Sequence, residues 1–210
     1  GPTLKWTYII NPTMTTDLGM SRSGYWWPDI PWTSDVRKTD LTTTHTRGAR
    51  IQVYRRPIRW QYNASWSWFT DIGGRNNEIK TGFLGYWNKE FVETQGYPNQ
   101  QLYRYRSLPG DTNFFLHPDS VQVFDYPGTE SAGILYNSLY FNDKITLTRQ
   151  LTLNAGIRLD RYASWLPAQG NPGTGPFATK QLFPEQRDFP LYNAWSPRLS
   201  VVYDLTGGGR

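Results

Sequence analysis

The stretch Arg59-Trp60-Gln61-Tyr62-Asn63-Ala64-Ser65-Trp66-Ser67-Trp68 alternates without a break. Every even position is apolar or aromatic, and every odd position is polar. A β-strand points successive side chains to opposite faces, so this strand has one greasy face and one wet face. Asp71-Ile72-Gly73-Gly74-Arg75-Asn76-Asn77 reads as a turn. A second strand is expected from position 78 to about 92, with Ile79, Thr81, Phe83, Gly85 and Trp87 on one face. Glu78, Lys80, Asn88 and Glu90 fall on the other. A face carrying Trp60, Tyr62, Trp66 and Trp68 needs a cover, and either a second sheet or lipid supplies one.

The composition is compatible with both. A length of 210 residues suits one or two ordinary domains. Aromatic residues make up 16% of the chain, mostly Trp and Tyr. Both side chains suit places where an apolar body meets a polar tip, as at a membrane interface. No apolar run reaches the roughly 18 residues of a transmembrane helix. A transmembrane barrel escapes that test, because its strands are only about 9–11 residues long and half their positions are polar. There is no cysteine, which excludes a disulfide framework and any Cys-based metal site. The net charge of +5 comes without a basic stripe or a recognition module, so no nucleic-acid partner is expected. Gly1-Pro2-Thr3 opens no signal peptide.

The rest of the chain repeats the alternation. Leu4, Trp6, Tyr8 and Ile10 mark one strand, and Met14, Thr16, Leu18 and Met20 the next, with Asn11-Pro12 between them. Residues 23–55 lose the pattern, and a loop of that length is usually functional or disordered. Tyr103 and Tyr105 alternate with Arg104 and Arg106, and Val121 and Val123 suggest a short strand. From 134 to 147, Leu135, Leu139, Phe141 and Ile145 share a face, but Asn137 and Asp143 fall on it too. Leu151, Leu153, Ala155, Ile157 and Leu159 alternate cleanly after a turn at 148–150. Residues 163–193 form a second long, Pro-rich loop, and Leu199, Val201 and Tyr203 lie on a last strand.

No segment has a helical period, so the chain is read as all-β with about nine antiparallel strands. With Tyr103 and Val121 on two separate strands, the short turns at 11–12, 71–77, 148–150 and 206–210 fall on one rim. Both long loops fall on the other. That is the layout of an outer-membrane barrel. A soluble β-sandwich also alternates, but it has no need of such an asymmetry. The wet face carries Lys5, Asp17, Arg59, Lys80, Arg104, Arg106, Arg158, Asp160, Arg198 and Asp204, which in a wide barrel would line the lumen. The greasy face, with Trp60, Tyr62, Trp66, Trp68, Leu151, Leu153, Ile157, Leu199, Val201 and Tyr203, would meet lipid.

Specific residues carry a family resemblance. The run Ser138-Leu139-Tyr140-Phe141-Asn142-Asp143-Lys144 is followed by Leu151-Thr152-Leu153-Asn154-Ala155-Gly156-Ile157-Arg158-Leu159-Asp160-Arg161-Tyr162. This pair resembles the barrel domain of TonB-dependent outer-membrane receptors, although Asn142 and Ile145 replace the usual Gln and Trp of the motif. Trp195-Ser196-Pro197-Arg198-Leu199-Ser200-Val201-Val202-Tyr203-Asp204 looks like the family's following strand. Ile9-Ile10-Asn11-Pro12-Thr13 and Glu78-Ile79-Lys80-Thr81-Gly82-Phe83 resemble segments of its large Oar-like members.

The resemblance implies a barrel of about 22 strands around a plug, of which residues 1–210 would be a middle slice. It further implies energised uptake of a scarce substrate, or export in Oar-like members. The partners would be the absent plug and remaining strands, the TonB complex acting through the missing N-terminal part, and outer-membrane lipid with lipopolysaccharide. The ligand would be a small molecule, a glycan or a peptide.

The residues themselves offer little chemistry. His45 and His117 have no partner at metal-ligand or triad spacing, and Gly207-Gly208-Gly209 opens no phosphate-binding helix. No catalytic residue, metal site or cofactor is expected, and the chain is not read as an enzyme. Binding is easier to argue: Tyr25, Trp26, Trp27 and Trp32 in the first long loop, with Trp165 and Phe177 in the second, can stack on a ligand. They can equally pack the loops together. Arg37, Lys38, Arg47, Arg50, Arg55 and Arg56 can meet an anionic head group or substrate, or stand solvated. The rival reading is a soluble extracellular β-sandwich that binds carbohydrate or peptide through Trp26, Trp27 and Trp165.

Overall fold

The alternation is realised as one tall antiparallel sheet. The computed structural model describes residues 1–206. In chain order the strands are β1 (Thr3–Asn11), β2 (Met14–Gly24), β3 (Trp27–Asp29), β4 (Arg37–Asp40) and β5 (Thr46–Arg47). β6 (Gln52–Arg55), β7 (Ile58–Ile72), β8 (Arg75–Gly96), β9 (Gln101–Tyr105) and β10 (Pro118–Val123) follow. β11 (Gly128–Thr146), β12 (Leu151–Leu166), β13 (Gln169–Asn171), β14 (Gln181–Phe183) and β15 (Gln186–Tyr203) complete them. A single 3-10 turn at Pro98–Gln100 interrupts the series.

The wall runs β1-β2-β7-β8-β11-β12-β15, each strand beside its neighbour in that order. Local chemistry sets the short turns. Gly73 and Gly74 both take positive φ, at 62° and 75°, which a two-residue hairpin turn between Ile72 and Arg75 requires. Asp71 Oδ1 accepts the Gly74 N–H at 2.8 Å. At the β1–β2 turn, Asn11 Oδ1 accepts from the N–H and the hydroxyl of Thr13, each at 2.9 Å. Thr148 Oγ1 accepts the Leu151 N–H at 3.0 Å and closes the β11–β12 turn. These three turns lie on one rim. The turn expected after Tyr203 runs into residues 207–210, which lie outside the described residues.

Three long connections rise from the other rim: 25–57, 97–127 and 167–185. Tyr103 and Val121 are not on wall strands. They belong to β9 and β10 of a separate sheet, ordered β10-β9-β4-β5. Taking two strands out of the wall leaves the parity of the turns unchanged, and adds 97–127 to the long-loop rim. The wall strands also outrun the alternation: β8 reaches Gly96, β12 reaches Leu166 and β15 already starts at Gln186. Pro190, read as part of the loop, hid the last of these. Among the described residues β15 pairs with β12 alone, so the N–H groups missing at Pro190 and Pro197 break no second ladder.

The register fixes the faces. Trp60 pairs with Trp87, Ala64 with Phe83, Trp66 with Thr81 and Trp68 with Ile79, so the even positions of β7 and the odd positions of β8 share one face. That face continues through the odd positions of β11, β12 and β15. It stays uncovered. Leu139, in a strand with neighbours on both sides, is 55% exposed, and Leu199 is 75% exposed. Buried apolar residues are few among those described, with Ala49, Val53 and Leu102 at the loops and Ile79 and Tyr136 in the wall. A sandwich would have packed its second sheet against the greasy face, about 10 Å away. Among the described residues this sheet is a single layer with no such partner.

Candidate functional site

The polar face carries an organised cluster. Arg59, Tyr86, Tyr136, Arg158, Asp160 and Tyr162 come from β7, β8, β11 and β12 and project to the same side. The Arg59 guanidinium lies 4.1 Å above the Tyr86 ring, a cation–π contact. Tyr86 and Tyr136 have centroids 5.1 Å apart, and Tyr136 stacks on Tyr162 at 4.4 Å. Arg158 Nε donates to Asp160 Oδ1 and to Ser138 Oγ, each at 2.9 Å. Arg158 Nη2 also reaches the Tyr136 hydroxyl, which in turn donates to Asp160 Oδ1 at 2.6 Å. Ser138 is 1% exposed and Tyr136 5%. The Asp160 carboxylate between them is only partly buried, and it is both paired and hydrogen-bonded. Arg59 differs, since its Nε is buried without a hydrogen-bond partner.

Toward the short turns the same face opens into a recess of about 530 Å³ lined by Glu78, Lys80, Lys144, Asn154, Arg198 and Ser200 among others. Lys144 pairs with Glu78 at 3.7 Å, which leaves Lys80 and Arg198 as the surplus positive charge. Asp17 shares the face and accepts the Thr7 hydroxyl at 2.6 Å. Asp17, Arg59, Lys80, Arg158, Asp160 and Arg198 therefore stand together on the polar side. Arg104, Arg106 and Asp204 do not. Arg104 is in β9 of the four-stranded sheet, and Arg106 lies just past the end of that strand, where its Nε donates to Asp119 Oδ1 at 3.1 Å. Asp204 lies past the end of β15, accepting the Thr206 N–H at 2.9 Å. The alternating Tyr-Arg pattern of β9 imitates a wall strand, and only its pairing with β4 and β10 tells it apart.

The expected loop aromatics separate likewise. Tyr25, Trp26, Trp27, Trp32 and Phe177 are exposed at the long-loop rim. Trp165 is not in a loop: it sits in β12 on the apolar face and stacks on Trp87 at 5.9 Å. The loops are tied to one another through two carboxylates that the sequence did not single out. Asp40 is fully buried and accepts the N–H and hydroxyl of Thr43, at 2.8 and 2.6 Å, and those of Ser107, at 2.7 and 2.8 Å. Burial opposes its charge, but these hydrogen bonds outweigh burial and hold the carboxyl well below the usual range. Asp125 Oδ1 accepts from Asn171 Nδ2 at 2.7 Å and from the Thr179 N–H at 2.8 Å. His45 packs on Phe114, with centroids 4.7 Å apart, and His117 Nε2 lies 3.3 Å from Asp111 Oδ2.

On the apolar face, Trp60, Tyr62, Trp66, Trp68, Leu151, Leu153, Ile157, Leu199, Val201 and Tyr203 share one side. Asn137, anomalous by pattern, is explained by its neighbours. The Tyr62 hydroxyl donates to Asn137 Oδ1 at 2.7 Å across β8. Gly85 lies between them, and a Cβ there would sit 2.7 Å from the Tyr62 ring and 2.4 Å from the Tyr136 carbonyl oxygen. Asp143 Oδ1 has no such partner.

An antiparallel single-layer wall, greasy on one side and charged on the other, with short turns on one rim and long loops on the other, defines an outer-membrane-type β-barrel wall. Residues 3–209 match the family described as "TonB dependent receptor-like, beta-barrel", and the chain belongs to that family of bacterial outer-membrane proteins. Two crystal structures share its fold at 17% identity. One is the ferric citrate transporter FecA in its unliganded form, with a TM-score of 0.55, aligned over 97% of this chain and 24% of that one. The other is the ferric-catecholate import receptor Fiu of E. coli K12 in its open form, with a TM-score of 0.50, over 97% and 32%. The chain thus spans about a quarter to a third of these solved chains. A search of curated proteins finds no match.

Proposed function

We propose that the chain is a section of barrel wall in a TonB-dependent receptor that takes up a scarce solute across the outer membrane. The observation that carries this is the uncovered apolar face of a single-layer sheet whose sequence matches the family over residues 3–209. In this reading the apolar face meets lipid and the polar face lines the lumen. The Arg158–Asp160 cluster stiffens the wall, and the recess around Lys80 and Arg198 receives the plug or the passing solute. The plug, the remaining strands and the TonB complex act on parts of the protein outside this chain. Tyr25, Trp26, Trp27, Trp32 and Phe177 form an outer aromatic surface suited to stacking on a small ring-bearing solute, a glycan or a peptide. The likeness to the import receptor Fiu favours uptake over export. An Oar-like subtype rests on the Ile-Asn-Pro turn and the Glu78–Phe83 run alone.

The chain has no cysteine, so single cysteines test the layout directly. On intact cells expressing the full reading frame, a membrane-impermeant maleimide should label Trp32→Cys and leave Thr13→Cys unlabelled until the outer membrane is opened. Trp66→Cys should resist the reagent in both conditions. Labelling of Thr13→Cys on intact cells, or rapid labelling of Trp66→Cys, overturns the reading.

A further inference from the structure

The sheet continues past its apolar rows. β6 and then β3 pair on beside the top of β8, beyond the row of Trp60 and Trp87. The odd positions of β8 hold the outward face, and Tyr54 pairs with Glu93, so both point outward above the apolar rows. Two glutamines join them. Gln52 Nε2 donates to the Tyr54 hydroxyl at 2.5 Å, and Gln95 Nε2 donates to Glu93 Oε1. A bulge supplies the second glutamine: Gln52 pairs with Gly96 and Val53 with Thr94, which leaves Gln95 without a partner on β6. A bulge re-aims the side chain that it frees. Each amide thus spends its nitrogen on the wall and keeps its oxygen as an acceptor.

Gln52 and Gln95 line a cleft of about 540 Å³ between residues 30–34 and 95–98, and Trp32 and Tyr97 line it with them. The Tyr97 ring is held in place, since it packs on Phe124 at 4.8 Å and Phe124 stacks on Tyr126 at 5.8 Å. Trp32 is fully exposed, and of the exposed loop aromatics it alone lines the cleft. Thr33 and Ser34 add hydroxyls, and Thr33 Oγ1 accepts the Asp35 N–H at 3.1 Å, which leaves its own O–H to donate. No lining residue is charged. An anion would therefore meet amide oxygens and no cation. A peptide would bring as many carbonyls as N–H groups, and the amides offer its carbonyls no donor. Sugar hydroxyls both donate and accept, and the C–H face of a sugar ring packs on an aromatic ring.

We propose that this cleft is a binding site for an uncharged glycan on the outer side of the wall, apart from the lumen through which the solute passes. Sugar rings lie between Trp32 and Tyr97, and their hydroxyls donate to the amide oxygens of Gln52 and Gln95. The site retains polysaccharide from the medium at the cell surface. The inference rests on the reading of the long-loop rim as external. The maleimide results at Trp32→Cys and Thr13→Cys test that reading separately, so a correctly oriented receptor that binds no neutral glycan overturns only the present inference.

The test applies the full receptor, purified in mild detergent, to an array of neutral glucan, mannan, xylan and galactan oligosaccharides, beside sulfated and uronic-acid oligosaccharides and short uncharged peptides. Wild-type receptor should bind at least one neutral class and none of the others. Trp32→Ala should weaken that binding at least about tenfold, as truncation of an aromatic anchor does. Gln95→Met, close in size but without the amide oxygen, should weaken it several-fold. Phe183→Ala removes another exposed aromatic of the loop rim, outside the cleft, and should bind as wild type does. Failure to bind any neutral oligosaccharide overturns the site, and so does equal binding of charged sugars or peptides. Unchanged binding by both Trp32→Ala and Gln95→Met, or an equal loss in Phe183→Ala, overturns it as well. Unchanged heat-modifiable migration on gels separates lost binding from lost folding.

Discussion

Arg158 and Arg161 stand three residues apart on one strand and lead opposite lives. Arg158 faces the polar side, where Asp160, Ser138 and Tyr136 engage its donors. Arg161 faces the apolar side, exposed and with no ion pair among the described residues. The odd spacing puts them on different faces, and the faces differ in what surrounds a charge. On the polar side the wall itself neutralises the arginine, so that side chain serves rigidity. On the apolar side the wall carries few carboxylates, Asp143 and Glu93 among them, and none of these pairs with Arg161. The comparison also explains where Arg161 sits. An arginine on a lipid face costs about 2–4 kcal/mol at midplane but only about 0–1 kcal/mol near an interface. Lys89 and Arg161 lie toward the long-loop rim, and the rows between them and the turns are free of cations until Arg75.

The comparison breaks most visibly at Asp160. Removing it in Asp160→Ala leaves Arg158 and the Tyr136 hydroxyl without their shared acceptor. Breaking this partly buried pair from one side should destabilise the wall by no more than about 3 kcal/mol, the low end for a fully buried pair, read as a fall in the unfolding midpoint of the barrel in lipid. The double variant Arg158→Met with Asp160→Leu should recover most of that loss, since an apolar pair of similar volume leaves no orphaned charge. If the double variant is as unstable as the single, the cluster is needed for more than neutralisation. Trp66→Arg puts a cation in the middle of the apolar face and should cost about 2–4 kcal/mol and reduce assembled protein. An equal yield would mean that the face is not in lipid.

The two faces were legible from period-two alternation alone, because β7, β12 and β15 follow it closely. The seven-strand wall was less so. β9 carries the same alternation, and the sequence does not reveal that its ladder partners are β4 and β10. Trp165 reads as a loop residue because Pro167 follows it and a bulge near Ala163 disturbs the pairing with β15. The tyrosines at 86, 136 and 162 were invisible as a cluster. They lie 50 and 26 positions apart in sequence, and only the register between β8, β11 and β12 aligns them. Asp40 and Ser107 meet for the same reason: the loops fold on each other through a parallel pairing of β4 with β9 that no local signal announces.

Asp40 offers a test confined to the loops. Its folded pKa is depressed below the ordinary 3.8, so the stability it lends is fully present above 3.8 and is lost as pH falls through the folded value. Protease resistance of the segments around 40–47 and 101–107 should hold from neutral pH down to 3.8 and weaken only below it, while the wall stays intact. Asp40→Ala should show the weakened state at neutral pH. Resistance that titrates well above 3.8 would place the control on another group.

Gly85 tests the apolar face from within. The Tyr62 ring passes over it to reach Asn137, and the Tyr136 carbonyl oxygen closes the space behind. Gly85→Ala should cost about 1–3 kcal/mol, the usual range for overpacking, because one of the atoms in the way is backbone. Tyr62→Phe keeps the ring and removes the hydroxyl, so it separates the steric role from the hydrogen bond to Asn137. It should cost about 1 kcal/mol, more if Asn137 is left unpaired in lipid.

The smallest expected effect is the most informative for the opening pair. Arg161→Gln should change the stability of the barrel by no more than about 0.5 kcal/mol, as for other surface positions without a partner. Arg158→Gln, chemically the same change, should cost several times more, because it strips the partly buried Asp160 of its counter-charge. A large loss at Arg161 in lipid-free detergent would mean that the wall itself uses this charge, and the contrast between the two arginines would fall. No loss at Arg161 beside a clear loss at Arg158 would sharpen it. The same residue type on one strand would then hold the wall together on one face and leave its stability untouched on the other.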